Sequence, residues 1–325
     1  MTARRAQLAA IVALLAISLI MPYAGLTPYL LNVLVLMWIY LIVAMSLNLC
    51  VGYLGLFSFA FTGFMGLGGY ATGLVTTRLE WPPELGLLVA IGVTAGVALL
   101  TGVAALRLTG VYFVMLTIAL HGILVGIANS FYQLTGGTGG LAGIPPLVIA
   151  GLTVDSSLSF YYVAFGTFVL LFVAMHWVVH SRVGRAFVAI RDNQDLADSL
   201  GISPFRYKLI GFVGSSVLGG VAGWLYAHYV TVLDPQVFGF KLIFDVLFMV
   251  MLGGQGTMFG PVIGALVVTF VPEALRFAET ARQAVFSIFL LIVVIFAPEG
   301  IWGTVQRQIL GSDRQWREYA DESER

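Results

Sequence analysis

The sequence has very little charge and almost no cysteine. Asp, Glu, Lys and Arg together make up 10% of its 325 residues, whereas apolar residues make up 59%. A soluble domain usually has about 25% charged residues, which cover its surface. The single cysteine, Cys50, lies inside an apolar run, which excludes a disulfide framework and a cysteine-based metal site. These shortages leave an integral membrane protein as the only broad class that fits.

Motifs for catalysis and nucleic-acid binding are also missing. Acidic and basic residues number 16 each, so the net charge favours neither a nucleic acid nor an acidic surface as partner. His176 and His180 have a spacing that metal ligands use, but no acidic residue lies nearby in the sequence to complete a site. No metalloprotease, serine-hydrolase or paired-carboxylate motif occurs. We therefore expect no enzyme, no bound metal and no bound cofactor.

The sequence indicates no energy source for transport within this chain, although backbone carbonyls could still bind sodium. Its two lysines, Lys208 and Lys241, do not follow a glycine, so neither can belong to a phosphate-binding loop. Carriers driven by protons or sodium usually place ionisable residues within the bilayer, and the apolar runs here contain few of them. If the chain moves a solute by using energy, ATP and Mg²⁺ must bind to another subunit.

Long apolar runs are what the sequence has in abundance. A helix of about 20 apolar residues crosses the hydrocarbon core of a membrane. Ten runs approach this length, near 7–22, 29–51, 56–77, 85–106, 111–131, 158–180, 208–232, 242–254, 259–276 and 284–300. The first lacks a signal-peptide cleavage site, so we predict an uncleaved span. We predict an all-α bundle of about ten transmembrane helices, within a range of about eight to eleven.

The basic residues predict the orientation of these spans. With ten spans and an inner N-terminus, 12 of the 16 Lys and Arg residues fall on the inner side, which agrees with the positive-inside bias. Both termini are then cytoplasmic. We predict a multi-pass protein of the plasma (inner) membrane, with one transmembrane domain at 1–303, an inner loop at 181–208 and a polar cytoplasmic tail at 304–325.

Glycine, at 38 residues, interrupts apolar segments in both halves of the chain. Gly52 and Gly55 break the first of these segments, and Gly253 and Gly254 break the second. Interrupted helices at matching places in two halves indicate a transport pathway between repeats. Other glycines recur every four residues, which predicts close helix packing within the bundle and is compatible with a contact to a second membrane subunit. These are Gly211, Gly219 and Gly223, with Ser215 in the same series, and Gly256, Gly260 and Gly264.

The inner loop reads as an amphipathic helix from Gly184 to Leu200 that ends at Gly201 as a glycine C-cap. Its predicted apolar face consists of Val183, Phe187, Ile190, Ala197 and Leu200, and three arginines precede three aspartates along it. Such a helix suits a groove on a soluble partner. The alternative is a helix lying on the lipid surface, where the three aspartates would be repelled by anionic lipid. We favour the protein partner.

Several segments resemble the LivM-type permeases of branched-chain amino acid ABC transporters. The resemblance includes the inner loop at 181–209 and the outer-loop motif Leu-Thr-Gly-Gly-Thr-Gly-Gly at 134–140. Further matching segments, in the same order along the chain, are 52–63, 106–117, 223–229 and 251–265. Relatives often have Leu-Ser-x-Gly-His after the first glycines, where this chain has Leu56-Phe-Ser-Phe-Ala-Phe. The missing histidine leaves the solute open, because relatives also carry urea and short amides.

The resemblance implies a heterodimer with a LivH-like permease, two cytoplasmic ABC ATPase subunits, a periplasmic solute-binding protein and a surrounding lipid bilayer. It implies that 184–201 is the helix that couples the permease to one ATPase, through Gly184, Arg185, Phe187, Ile190, Arg191, Asp195, Ala197, Leu200 and Gly201. Our hypothesis for the solute pathway includes Gly52, Gly55, Thr135, Gly136, Gly137, Gly140, Gly253 and Gly254. Two other possibilities stay open, a stand-alone channel for a neutral solute such as urea or a short amide, and a structural subunit of another membrane complex.

Overall fold

The computed structural model describes residues 18–19, 21–23, 27–149, 152–275 and 300–304. Most of the predicted first span at 7–22 and of the predicted last span at 284–300, and nearly all of the polar tail, lie outside these residues. The described α-helices are α1 (Pro28–Asn48), α2 (Phe61–Arg78), α3 (Pro83–Ala105), α4 (Val111–Ser130), α5 (Tyr132–Thr135), α6 (Ser157–His180), α7 (Arg182–Asp192), α8 (Gln194–Ser199), α9 (Pro204–Val230), α10 (Phe240–Gly253) and α11 (Gly260–Ala274).

Six described helical segments are long and apolar enough to cross a membrane. They are Pro28–Tyr53, Pro83–Ala105, Val111–Ser130, Ser157–His180, Pro204–Val230 and Pro235–Gly253. The first combines α1 with a π-helical turn at Leu49–Tyr53, and the last combines a 3-10 turn at Pro235–Phe238 with α10. The prediction of an all-α membrane protein is confirmed at this level, whereas the number ten and the cytoplasmic termini stay predictions.

The core of the bundle lies around α1 and α9. Most of α1 is buried from Leu34 to Asn48, and α9 is buried continuously from Gly219 to His228. By contrast, α3 and α4 each have only 22% of their most apolar window buried, and they expose large side chains such as Leu100 and Met115. In a bilayer, exposed apolar faces of this kind contact lipid.

The glycines that recur every four residues pack helices within the bundle, as predicted. A Cβ at Gly219 would lie 3.1 Å from the carbonyl oxygen of Phe61, and one at Gly223 would overlap the carbonyl oxygen of Met65, so α9 approaches the backbone of α2 closely. Similarly, a Cβ at Gly264 would overlap the carbonyl oxygen of Met249, which brings α11 against α10. Small residues allow such close approach of helix backbones in membranes.

The outer loop between α4 and α6 is attached to the end of α9 by two short strands. Strand β1 (Leu141–Ala142) pairs antiparallel with β4 (Val232–Leu233), with Leu141 opposite Leu233. The strands β2 (Val148–Ile149) and β3 (Leu152–Thr153) form a second antiparallel pair inside the loop. The ring of His228 lies with its Nδ1 2.8 Å from the carbonyl oxygen of Pro145. These contacts fix the loop at the C-terminal end of α9.

Candidate functional site

The residues predicted from the sequence fall into two groups at opposite ends of α9. The inner loop packs near the start of this helix, where the ring of Phe187 contacts Tyr207. The glycine-rich outer loop lies near its end, through the pairing of β1 with β4. A helix of 27 residues is about 40 Å long. The candidate pathway residues therefore form an inner and an outer group.

At the inner end, the two glycine-interrupted segments contact each other directly. The side-chain amide of Asn48 donates to the carbonyl oxygen of Thr257 at 2.8 Å. Its oxygen accepts a hydrogen bond from the backbone N–H of Gly256, also at 2.8 Å. Asn48 is fully buried, and a buried amide with both sides bonded holds its partners firmly. Residues Asn48, Gly52, Gly55, Arg191 and Gly256 are called the inner junction from here on.

Glycine is required at three positions of the inner junction. A Cβ at Gly52 would overlap the backbone nitrogen of Gly256 and the side-chain oxygen of Asn48. Gly55 and Gly256 adopt φ values of +69° and +73°, in the left-handed region that favours glycine. The neighbouring Gly253 and Gly254 pack against Gly260 at the start of α11. The two glycine-interrupted segments predicted from the sequence are therefore in contact in the structure.

Arg191 joins the inner loop to this junction. Its Nη1 donates to the carbonyl oxygen of Gly52 at 2.8 Å, where the π-helical turn departs from regular α-helical bonding. The stem of Arg191 covers Gly55, since a Cβ there would lie 2.9 Å from the arginine Cγ. Its Nε and Nη2 donate to Asp192 Oδ1 at 3.0 Å and 2.9 Å. One side chain therefore connects α7 with the end of α1.

The prediction of one continuous helix from Gly184 to Leu200 is wrong. The loop contains two helices, α7 and α8, separated at Asn193, which is extended with φ −156° and ψ 105°. The Asn193 Oδ1 accepts from the backbone N–H of Leu196 at 3.0 Å, so Asn193 is the N-cap of α8. Asparagine favours this position over a helix interior, because its side chain competes for backbone hydrogen bonds.

The predicted glycine cap at Gly201 is confirmed. Gly201 has a φ of +83°, and its N–H donates to the carbonyl oxygen of Asp198 at 2.9 Å. The N–H of Ile202 donates to the carbonyl oxygen of Ala197 at 3.0 Å. These two bonds form a Schellman motif, which ends a helix with a residue in the left-handed conformation.

Most of the predicted apolar face of the loop packs onto the protein itself. Phe187, Ile190 and Ala197 are buried, whereas Leu200 is 72% exposed. Gly184 is also buried, and a Cβ there would overlap the carbonyl oxygen of Val179 at the end of α6. Buried residues cannot enter a groove on another protein, so the expectation that this whole face meets a partner is wrong. The apolar face instead anchors the loop to the membrane bundle.

The sequence did not assign three further residues to the candidate site. Asn48 and Gly256 hold the inner junction, and Leu196 is an exposed apolar residue beside Leu200. Asn48 carried a usable signal, because a buried amide within an apolar run, four residues before Gly52, needs a partner of its own. The partner itself lies 208 residues away in the chain, and no local pattern indicates it.

The outer group forms a compact glycine turn. The hydroxyl of Thr135 lies 2.6 Å from the carbonyl oxygen of Ala128 and 2.9 Å from that of Phe131. Gly136, Gly137 and Gly140 have φ values of +77°, +59° and +75°, so all three require the freedom of glycine. A Cβ at Gly140 would lie 2.6 Å from the carbonyl oxygen of Leu233. This turn is therefore tied to β4.

A cavity of about 460 Å³ lies between α2, α3 and α4, next to Thr135. Its walls are apolar, and no charged side chain is among the described residues that line it. Tyr70, which also lines it, has its hydroxyl engaged with the carbonyl oxygen of Leu233 at 2.9 Å. The cavity therefore offers an apolar environment, with no charged partner for a carboxylate or an ammonium group.

The structure offers no metal site within the part of the chain that it describes. In this part, no three His, Cys, Asp or Glu residues are grouped so that they could hold a metal ion. The rings of His176 and His180 are 4.1 Å apart, and Nδ1 of His180 lies 2.9 Å from the carbonyl oxygen of His176. The latter contact is a hydrogen bond from the His180 side chain to the backbone of α6.

The family model and the LivM relatives that match this chain all describe branched-chain amino acid transport permeases. Residues 29–298 match the family model described as branched-chain amino acid transport system / permease component. LivM, a permease protein of the high-affinity branched-chain amino acid transport system of Salmonella typhimurium, is 27% identical over 83% of this chain and 69% of its own length. Escherichia coli LivM is 26% identical with the same coverage. No solved structure matches the chain.

The chain is also similar to LivH, which is likewise a permease protein of the high-affinity branched-chain amino acid transport system. Salmonella typhimurium LivH is 27% identical over 81% of this chain and 91% of its own length. Similarity to both LivM and LivH implies a permease that works with a partner permease subunit. The predicted resemblance, the role as an ABC importer permease subunit rather than an enzyme, and the multi-pass inner-membrane location are confirmed by these relatives. The chain belongs to the family of branched-chain amino acid transport system permease components.

Proposed function

We propose that this chain is the LivM-like half of an ABC importer for branched-chain amino acids or a chemically related small solute. The family and its relatives support the transport role. The observation that carries the mechanism is the hydrogen bond from Arg191 to the backbone of Gly52. It connects a loop on the predicted cytoplasmic side with a broken membrane helix, which is the connection that a transporter driven by a separate ATPase needs.

The proposed topology has ten spans with both termini in the cytoplasm. It requires the segments near 52–55, 181–203 and 254–258 to lie at one end of the bundle, and those near 132–157 and 231–239 at the other. The inner-junction contacts support the first requirement, and the pairing of β1 with β4 supports the second. Because the topology was derived from the apolar runs and the distribution of basic residues, these contacts are independent support for it.

The proposed assembly contains a LivH-like permease, two cytoplasmic ABC ATPases and a periplasmic solute-binding protein. Similarity to both LivM and LivH supports two homologous membrane halves. ATP and Mg²⁺ belong to the ATPases, because this chain has no phosphate-binding loop. The ATPases close when they bind ATP, and their movement passes through α7 and α8 to the inner junction, which switches the pathway from inward-facing to outward-facing.

The proposed solute route runs from the outer glycine turn to the inner junction. Thr135, Gly136, Gly137 and Gly140 lie at the proposed entrance, whereas Gly52, Gly55, Gly253 and Gly254 lie at the proposed cytoplasmic end. A zwitterionic solute can be handled by helix ends and exposed backbone groups at broken helices. Such a route needs no buried charge, which agrees with the scarcity of charged residues in the spans.

Reconstitution of the complex tests this function. We expect the chain to co-purify with a LivH-like permease and ATPase subunits, and the cognate binding protein to be stabilised thermally by leucine, isoleucine or valine. Stabilisation by urea or a short amide alone would assign a different solute to the same machinery. Purification without any ATPase, together with uptake of a neutral solute by the chain alone, would contradict the proposal and support the stand-alone channel.

Replacing Gly201 with proline should abolish transport-coupled ATP hydrolysis. Proline cannot adopt the φ of +83° found there and has no N–H to donate to Asp198, so α8 loses its C-terminal cap. Gly201→Asn is the matched control, because asparagine tolerates the left-handed conformation. Solute-stimulated ATPase activity and the amount of protein in the membrane are the measurements. If Gly201→Pro kept the wild-type solute-stimulated ATPase activity, the end of α8 would have no part in coupling ATP hydrolysis to transport.

A further inference from the structure

Asp245 is an acidic side chain in a segment that is long and apolar enough to cross a membrane. It lies half-buried in α10, within Pro235–Gly253. It forms no ion pair or hydrogen bond with any described residue, and Lys241, four residues earlier, is not paired with it. A lysine that precedes an acid by four residues is the less favourable order for such a pair. A carboxylate at membrane depth is costly, so it marks a functional site that needs a partner.

Two tyrosines from α1 and α9 accompany this carboxylate. The rings of Tyr40 and Tyr226 are stacked, with centroids 6.4 Å apart and an angle of 25° between their planes. The Tyr40 side chain interacts electrostatically with both Tyr226 and Asp245, so groups from three helices form one cluster. Neither tyrosine hydroxyl forms a hydrogen bond with a described residue. Tyr40, Tyr226, Lys241 and Asp245 are called the tyrosine–aspartate site from here on.

An aromatic surface continues from this site along α10. Phe244 is 49% exposed, and its ring stacks against that of Phe248 with centroids 6.4 Å apart. Residues three and four apart are neighbours on a helix, so Lys241, Phe244, Asp245 and Phe248 share one face of α10. This face presents a positive charge, a negative charge and a pair of stacked aromatic rings within about two helical turns.

We propose that the tyrosine–aspartate site binds the transported solute, and that this solute is an amino acid with an apolar side chain. Its ammonium group donates to Asp245, and its carboxylate accepts from Lys241. Its side chain packs on Phe244 and Phe248. The proposal rests on the proposed function and names the solute class within it, because urea and short amides have no ammonium group to pair with Asp245.

The chemistry of the site fits an ammonium group. A hydrogen bond between an ammonium and a carboxylate is stronger than one between neutral groups, and tyrosine rings attract a cation that lies over their faces. Lys241 and Asp245 lie one helical turn apart, and the two charges of an amino acid are carried on one carbon atom. One solute molecule can therefore supply the partner that each of these side chains lacks.

Other occupants fit the site less well. Lipid tails offer no partner to a charged side chain, which is why charged residues in spans face a bundle interior or a water-filled cavity. A metal ion needs several ligands, and no three His, Cys, Asp or Glu residues are grouped in the described part of the chain. A basic side chain of the partner permease would match Asp245 but would leave Lys241 without an anion.

The test uses the full complex in proteoliposomes, with loaded binding protein outside and ATP inside. Leucine uptake and ATP hydrolysis are measured together, which gives the leucine imported per ATP. Asp245→Asn should lower this ratio about tenfold or more, which corresponds to about 1.4 kcal/mol, because solute that is not held returns outward before the pathway switches. Asp245→Glu keeps the charge and should retain much more of the ratio. Asp155→Asn is the matched control, since Asp155 is exposed in the outer loop, and it should leave the ratio unchanged.

Several results would overturn the proposal. One is a wild-type ratio of leucine to ATP in Asp245→Asn, and another is an equal loss in Asp245→Glu, which would mean that shape and not charge matters. Loss of the LivH-like permease when Asp245→Asn is purified would assign Asp245 to a contact between the permeases. A cognate binding protein that is stabilised by urea and not by leucine would also overturn it, while the importer role stands. Absence of ATP-dependent uptake by the wild-type complex would instead contradict the proposed function.

Discussion

Replacing Arg191 with methionine should reduce solute-stimulated ATP hydrolysis and uptake about ten- to hundredfold while the complex still assembles. Methionine keeps much of the apolar stem that covers Gly55 but removes the bond from Nη1 to the carbonyl oxygen of Gly52. A hydrogen bond to a charged group contributes about 1.5–3 kcal/mol, which corresponds to that range of rates. The loss should appear in coupling, because the bond lies within the chain and not at its surface with a partner.

Two further variants sharpen this result. Arg191→Glu should be more severe, because a carboxylate would face the carbonyl oxygen of Gly52 and lie beside Asp192. Arg182→Met is the control, since it removes an exposed positive charge from the same helix, away from the inner junction. Assembly is followed by co-purification, and coupling by ATPase activity with and without loaded binding protein. If Arg191→Met kept its full solute stimulation, the loop would have to act through another contact.

Replacing Gly52 with alanine should destabilise the protein by about 4 kcal/mol or more, a size seen for severe core changes. The added methyl group overlaps the backbone nitrogen of Gly256 and the side-chain oxygen of Asn48. It therefore separates the two segments that Asn48 holds together, and it leaves buried polar groups without partners, each at a cost of about 1–3 kcal/mol. We expect a large drop in the thermal unfolding temperature and loss of transport.

Gly92→Ala provides the comparison. Gly92 lies in α3, and a Cβ there meets no atom within 4 Å, so the same change adds the same atoms without a clash. Alanine also favours a helix over glycine by about 0.8–1.0 kcal/mol. Tryptophan fluorescence during heating of both purified variants is the measurement. Equal unfolding temperatures for Gly52→Ala and wild type would mean that the two broken segments are not packed as described.

Much of the helical framework follows from the sequence because it depends on local composition. The run predicted at 111–131 is a helix at Val111–Ser130, and the run at 85–106 is a helix at Pro83–Ala105. The length of an apolar run and the ends of a helix are local properties. They can be predicted without knowing which helices pack nearby. The glycines that recur every four residues also indicated close packing correctly, although not which helix each one would meet.

The inner junction could be predicted only in part. Glycines at 52, 55, 253 and 254 marked two broken segments, and Arg191 was selected in the loop, but nothing local showed that all three segments meet. That contact joins residues about 140 to 210 positions apart in the chain. It depends on tertiary packing, which a local sequence pattern does not reveal. The break at Asn193 was missed for a different reason, because its capping side chain overrode the apolar periodicity of the loop.

Solute flux in proteoliposomes shows directly whether a separate ATPase drives the pathway through the inner loop. The permease pair should be reconstituted with and without its ATPases, with loaded binding protein outside and ATP inside, and uptake of labelled leucine measured. We expect uptake only when ATPases and ATP are both present, and we expect it to be about ten- to hundredfold lower in Arg191→Met. Uptake by the permeases alone, without ATP, would contradict this ATPase-driven mechanism.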